Sequence, residues 1–439
     1  MNVVLMVIDT LRADHLGCYG YAYDTTPHLD RLAAEGVLFE NCFAPGIPTL
    51  PAHTTLYTGR HPIAHNIVSH GGEVDLDEAI VVFPELLQQA GFATTAAVDN
   101  LASLKPWMAR GYDTYLNPAS RHPLELLVSC EEINGAAVRW LRQRPPRPFF
   151  LFLHYWEPHT PYLPPERYRN FYQGDPFDPA NRTLVGMEAH PLGQLWRQTW
   201  FPKLGGQVTD GDYIRSLYDG EVRHADEGVG AFLRALERLG LAEDTLVIVT
   251  SDHGETFYER GIFFDHHGLY DENIRVPLLL RWPGHLPAGR RVPHLVQHLD
   301  LAPTILSAAG IRVPPEMEGH DLGPLARGET DVPLWDRVIC VESTWQCKWA
   351  LRTLTHKFIL AREPDFYGTP PRELYDLRAD PGERCNLAEA EPQRAAQMEA
   401  ELEGWIAARL AELGREVDPV VAQGMSLGRR WKEAAALPG

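Results

Sequence analysis

The sequence predicts a doubly wound α/β fold, a mixed sheet between helices, with a smaller C-terminal α+β domain. Three observations carry that expectation. Short apolar runs alternate with stretches whose apolar residues recur at helical spacing, the pattern of strands joined through helices. Each run passes directly into polar residues able to bind metal or move protons, as at the carboxyl ends of strands in open α/β sheets. After about Glu329 the rhythm changes to short strand-like segments and one long amphipathic stretch. At 439 residues the chain exceeds the usual size of one core, so we place the catalytic α/β domain at 1–328 and the α+β domain at 329–439.

Taken in order, residues 2–8 read as a strand that runs into Asp9, and 93–98 as one that runs into Asp99 and Asn100. Residues 148–154 form a third, followed by Glu157 and His159, and 245–251 a fourth, followed by Asp252 and His253. Helical spacing covers 27–35, 82–90, 130–142 and 213–239. Residues 164–212 are rich in Pro, Gly and Trp with little periodicity, which predicts an excursion above the active edge of the sheet, where specificity is usually set. In the last domain, 338–341, 349–353 and 357–360 read as short antiparallel strands and 392–413 as the long helix. Trp345, Cys347 and Trp349 are expected to fill its core.

Composition narrows the partners. A chain with 44% hydrophobic and 23% charged residues is globular, and a net charge of -19 excludes a nucleic-acid phosphate backbone as partner. An anionic substrate then needs local cations, above all a metal. Residue 1 opens directly on an apolar strand without a leader-like segment, no run reaches the ~18 apolar residues of a membrane span, and the six cysteines lack metal-finger spacing. The expectation is a cytoplasmic protein with reduced thiols, off the membrane and compatible with a homo-oligomer. A chain whose leader has been removed reads the same way.

Asp9, Asp252 and His253 end two strands, and two carboxylates with an imidazole suit a divalent ion, Zn²⁺ or Mn²⁺, with Ca²⁺ or Mg²⁺ as alternatives. Each alone has a plainer reading, as a helix cap or a solvated surface pair. Ordered along the chain are IDTLRADHLGCYGY, TPHLDRLAAEGVLFENCFAP, LPAHTTLYTGRHP, FLHYWEPHTPY, YDGEVRHADEGVG, VTSDHGE, LYDENIRVPLLLRWPG, LAPTIL and LYDLRADPGERCNLA. In these segments the chain resembles the sulfatase branch of the alkaline phosphatase superfamily over nearly its whole length. The resemblance implies a metal under the nucleophile, with Asp9, Asp252 and His253 as its ligands together with the nucleophile oxygen. Thr10 stands where sulfatases often have a second carboxylate.

The resemblance also places the nucleophile. In the usual sulfatase segment a Cys or Ser two residues before a Pro becomes formylglycine, and an Arg follows that Pro by two. Here Thr49, Pro51 and His53 occupy those places. Oxidation of threonine would give a ketone, not the aldehyde, so the aldehyde-hydrate mechanism does not transfer. A metal-activated threonine alkoxide can attack phosphorus directly, as in the phosphodiesterase, phosphonoacetate hydrolase and phosphoethanolamine transferase relatives with a Thr nucleophile. The resemblance further implies His159 on the anionic oxygens and His266 or His267 at the leaving group. Glu157 stands for a family Asp and Asn100 for a family Lys, with His53 and His70 as further substrate contacts. Imidazoles titrate nearer neutrality than Lys or Arg, so we expect a singly charged substrate. The function expected is a metal-dependent hydrolase of a phosphodiester or a phosphonate or phosphate monoester, with a sulfate-ester hydrolase or a phosphoryl transferase as alternatives. A non-catalytic binding protein is the reading from outside the enzymes.

Overall fold

The structure, a computed structural model, describes residues 1–98, 101–118, 121 and 127–436. Its strands are β1 (Asn2–Ile8), β2 (Val37–Phe43), β3 (Gly46–Ile47), β4 (Ala93–Ala97), β5 (Thr114–Leu116), β6 (Phe149–Tyr155), β7 (Thr245–Thr250), β8 (Arg275–Arg281) and β9 (Arg290–Gln297). Four more follow: β10 (Val338–Glu342), β11 (Lys348–Arg352), β12 (His356–Ala361) and β13 (Arg372–Asp376). Eight strands form one mixed sheet in the order β5-β4-β6-β1-β7-β8-β2-β9. The run from β5 to β7 is parallel, and β8 is antiparallel to both neighbours.

The period of two along a strand sets the layers. In β1, Val3, Leu5 and Val7 face one core, shared with Leu50, Leu56 and Tyr57 of the helix Thr49–Thr58. Val4, Met6 and Ile8 face the other, shared with the helices Pro27–Glu35, Cys130–Arg142 and Gly211–Arg238. The sheet is therefore doubly wound, as expected. Local chemistry starts these helices: Ser129 accepts from the Glu132 amide and Asp210 from the Asp212 amide, each satisfying an end donor.

Strands β8 and β9 fall outside the sequence-based reading because each carries a proline, Pro277 and Pro293, which argues against an interior strand. In β2 a register shift around Glu40 breaks the alternation that would have marked it. A second sheet runs β13-β12-β11-β10-β3, antiparallel except for β10 beside β3. Its inner face, with Trp349, Leu351, Phe358 and Leu360, packs on Ala395, Met398, Leu402 and Ile406 of the helix Pro392–Glu412. Cys347 joins this core as expected, whereas Trp345 lies elsewhere. Because β3 immediately precedes Thr49, the second sheet also anchors the approach to the proposed nucleophile. No helix among the described residues is long and apolar enough to cross a membrane.

Candidate functional site

The central strands β6, β1 and β7 end side by side, with Val7 opposite both His154 and Thr250. Asp9 follows β1 and is held there by its amide, which donates to the Tyr155 carbonyl at 3.0 Å. Asp252 and His253 follow β7. Thr10, at φ 55°, sits in a region costly for a β-branched residue. Two bonds hold it: Tyr218 Oη donates to its carbonyl at 2.8 Å and its own amide donates to Asp252 Oδ1 at 3.2 Å. At the place of a family carboxylate, Thr10 thus contributes a backbone donor that orients Asp252.

Thr49 opens the helix Thr49–Thr58, all ten residues of which are buried. Such a polar helix tolerates burial because Thr54, Thr55 and Thr58 return their hydroxyls to the carbonyls of Leu50, Pro51 and Thr54. Thr49 Oγ1 lies 3.3 Å from His253 Nε2. Since His253 Nδ1 lies 2.9 Å from the Gly254 carbonyl, Nδ1 carries the proton and Nε2 presents its lone pair, the orientation seen in ligating histidines. His253 Nε2 is 3.7 Å from Asp9 Oδ1 and 3.4 Å from Asp252 Oδ2. The Asp252 oxygen is buried without a hydrogen-bond partner, and one atom each of Asp9, Asp252 and His253 falls within 4.8 Å of the others. Two carboxylates and a neutral imidazole converging on one buried point fit a divalent ion.

Above Thr49 a cavity of about 310 Å³ is lined by Asp9, His70, His154, Trp156, His159, Leu192, Trp196, His266, His267 and Trp345, among others. His70, His159, His266 and His267 are therefore gathered around Thr49. The His266 ring is 5.0 Å from that of His253 and 4.6 Å from that of His159. His267 is clamped, with Nε2 3.1 Å from Asp265 Oδ1 and Nδ1 3.1 Å from Glu342 Oε1. Both its nitrogens are thus engaged, which leaves His266 as the member of the pair turned toward the reaction centre.

Two expected contacts, His53 and Glu157, are placed differently. His53 shares a helix face with Thr49 at i, i+4 spacing but points into the protein, fully buried beneath the cavity and outside its lining. Glu157 turns away: its Oε1 accepts from the Cys130 amide at 3.1 Å and lies 3.8 Å from His224 Nδ1, in a neighbouring cavity. The turn after β6 thus sends His159 to the Thr49 cavity and Glu157 to the other side. Asn100 lies outside the described residues. Trp345, expected in the small domain's core, instead lines the Thr49 cavity beside His190 and His267. His154 is missed by the motifs, which reach it only as the end of a strand. The alternation of Phe150, Phe152 and His154 puts it on the same sheet face as the Thr49 helix, a signal present in the sequence.

Burial also overturns the expectation that these imidazoles titrate near neutrality. It holds His253 down to about 3 and His70 to about 4, and pushes His266 and His53 well below the ordinary imidazole range. For His267 burial acts in the same direction, but the carboxylates of Asp265 and Glu342 outweigh it and raise the group to about 10. Burial lifts Glu157 to about 7. Among the described residues no Lys or Arg lines the cavity. A larger cavity of about 1030 Å³ lies against Arg12, Arg260 and Arg352, away from Thr49, and those guanidiniums pair with Asp14, Glu272 and Asp271.

A family profile described as Sulfatase matches residues 1–311, and one described as N-sulphoglucosamine sulphohydrolase, C-terminal, matches residues 259–410. An N-acetylglucosamine-6-O-sulfatase of Bacteroides thetaiotaomicron is 26% identical, the match covering 88% of this chain and 82% of the relative. A multifunctional alkaline phosphatase superfamily protein of Trinickia caryophylli is also 26% identical, covering 90% of this chain and 92% of the relative. The phosphonate monoester hydrolase of Agrobacterium radiobacter has the same fold, with a TM-score of 0.71 at 24% identity over 94% of this chain and 95% of that one.

Proposed function

The chain belongs to the sulfatase family and is a hydrolase of sulfuric or phosphoric esters, and on that premise we propose that Thr49 is its nucleophile and a singly charged phosphorus ester its substrate. A phosphodiester or a phosphonate monoester meets that description. The observation that carries the proposal is the position of Thr49 Oγ1 at a helix start, 3.3 Å from His253 Nε2, under a cavity without Lys or Arg among its described lining residues.

Enzymes of this family use divalent metal ions, and here Asp9, Asp252 and His253 would hold one. When bound it would supply positive charge that lowers the pKa of the Thr49 hydroxyl and offsets charge on the transferring group. Thr49 forms its Oγ–P bond as the ester P–O bond opposite breaks and the alcohol departs, taking up in net the proton Thr49 gives up. A diester leaves its second ester group on phospho-linked Thr49 and a phosphonate monoester leaves a phosphonyl-threonine, and water then adds to phosphorus as the Oγ–P bond breaks, returning the hydroxyl. The first amides of the Thr49 helix add partial positive charge toward the transferring oxygens. His159 steadies those oxygens from the cavity wall. His266, held neutral by burial, assists the departing oxygen through an N–H hydrogen bond rather than as an imidazolium. The walls of Trp156, Trp196, Trp345 and Leu192 suit an apolar or aromatic substituent on a small ester. All six cysteines are unpaired, which supports a reducing compartment, the cytoplasm.

A second reading, direct attack on a sulfate monoester, is favoured by the N-acetylglucosamine-6-O-sulfatase relative, since such an ester also carries a single charge. The test compares p-nitrophenyl sulfate, p-nitrophenyl phosphate, bis-(p-nitrophenyl) phosphate and p-nitrophenyl phenylphosphonate on protein loaded with Zn²⁺ or Mn²⁺. The last two should exceed p-nitrophenyl phosphate in kcat/KM by at least ~10-fold, about 1.4 kcal/mol in the transition state. Mass spectrometry of quenched turnovers should find a p-nitrophenyl phosphoryl group on Thr49 with the diester and a phenylphosphonyl group with the phosphonate. Faster turnover of the sulfate than of every phosphorus ester would overturn the phosphorus assignment and establish the second reading.

A further inference from the structure

The imidazole of His53 is fully buried, and neither Nδ1 nor Nε2 has a hydrogen-bond partner. An unsatisfied buried polar atom costs roughly 1–3 kcal/mol, so an imidazole with two of them needs another explanation. Tyr57 and Phe152 present ring edges to it at 6.2 and 6.1 Å between centroids, which closes those sides with carbon. What its polar edge faces is Asp252 Oδ2, 3.6 Å away and itself without a hydrogen-bond partner. The ring of His154 lies 5.1 Å from that of His53, and His154 Nε2 is 3.7 Å from Asp9 Oδ2.

These separations exceed the ~2.7–3.2 Å of nitrogen–oxygen hydrogen bonds. They approach the edge of a tetrahedron with metal bonds of ~2.0–2.1 Å, which is about 3.3 Å. One atom each of His53, His154 and Asp252 falls within 4.8 Å of the others, all three residues being buried. Two imidazoles and one carboxylate are a donor set for Zn²⁺ or Mn²⁺.

We propose that His53, His154 and Asp252 form a second divalent-cation site, which shares the Asp252 carboxylate with the Asp9–Asp252–His253 set, so that the centre beneath Thr49 holds two ions. The proposal rests on the metal reading given above, because Asp252 serves both sites. It gives the unpaired Nε2 of His53, which faces Asp252, a partner, and it brings fixed positive charge below the nucleophile where no Lys or Arg stands in the described cavity wall.

The test is a Mn²⁺ titration of the metal-free full chain, with bound metal counted by elemental analysis and the loaded protein examined by electron paramagnetic resonance. Two equivalents per chain are expected, and two Mn²⁺ ions bridged by one carboxylate should give an exchange-coupled spectrum. His53→Gln and His154→Gln should each bind one equivalent and show the six-line signal of an isolated ion. His253→Ala should also bind one, at the other position. One equivalent and an uncoupled spectrum in the unaltered protein would overturn the second site and leave the hydrolase reading standing, as would two equivalents persisting in both glutamine variants. No bound Mn²⁺ or Zn²⁺ at all would overturn the metal reading as a whole. Circular dichroism identifies a variant that fails to fold, and the count and spectrum of the unaltered protein then decide.

Discussion

The floor of the Thr49 cavity and its walls are built in different ways. The floor consists of Asp9, His154, Asp252, His253 and Thr49, placed by three neighbouring strands of one sheet and the first turn of a buried helix. The walls come from separate stretches of chain: Trp156 and His159, Leu192 and Trp196, His266 and His267, and Trp345 from the turn between β10 and β11. Sheet register holds the floor to fixed positions, so a change there should remove chemistry. Wall residues sit on connections that can differ without disturbing the sheet, so a change there should alter which ester is accepted.

The largest effect tests the centre of the floor. Thr49→Ala should lower kcat by at least ~10³-fold, about 4 kcal/mol, with an unchanged melting temperature, and Thr49→Ser should keep measurable turnover because an oxygen remains. A tenth of the original activity in the alanine variant would break the comparison at its root. Next comes Asp252→Asn, which should reduce bound metal and lower kcat/KM by ~10²-fold or more together, since it weakens a ligand that faces His253 directly. Full metal content in that variant would remove Asp252 from the ligand set.

For the walls the expected effect is smaller and of another kind. Trp345→Ala should raise KM for an aryl phosphonate about 10-fold through loss of an aromatic contact of ~1–1.5 kcal/mol, with kcat changed little and metal content unchanged. Loss of metal in this variant would show that the walls support the floor and that the division is false. The last effect concerns stability and leaves the chemistry aside. Folding raises His267 to about 10 from about 6.5 in the unfolded chain, so its contribution is fully present below about pH 6.5 and is lost as pH rises through about 10. Urea midpoints should fall over that window, and His267→Gln should flatten the fall. An equal fall in the variant would assign the titration to another group.

The division between floor and walls also separates what is legible in the sequence from what is not. Asp9, Asp252 and the strands preceding them are legible because a strand end is a local event: an apolar run stops and a polar residue follows. Helices such as Cys130–Arg142 carry their own caps and periodicity. His53 is legible only as sharing a face with Thr49. Which way that face points depends on the packing of the helix against β6, and it points inward, toward His154. Glu157 and His159 are two residues apart and both line the neighbouring cavity, yet only His159 also reaches the Thr49 cavity. His266 and His267 are adjacent, yet one is held neutral and the other is charged between Asp265 and Glu342; Glu342 is 75 residues away from His267.

Local sequence is enough to set the α/β class and the strand ends that carry Asp9 and Asp252; Thr49 is legible only through the family resemblance, because its helix carries no side-chain cap at its start. The class and the strand ends depend on residues a few positions apart, through alternation, helical spacing and capping. It takes the packed chain to move Trp345 from the small domain's core to the cavity, to bring His53 and His154 together beneath Thr49, and to turn Glu157 away. Each of these depends on burial and on charges brought together from distant parts of the chain, and both the direction a side chain takes and the proton it holds follow from that environment.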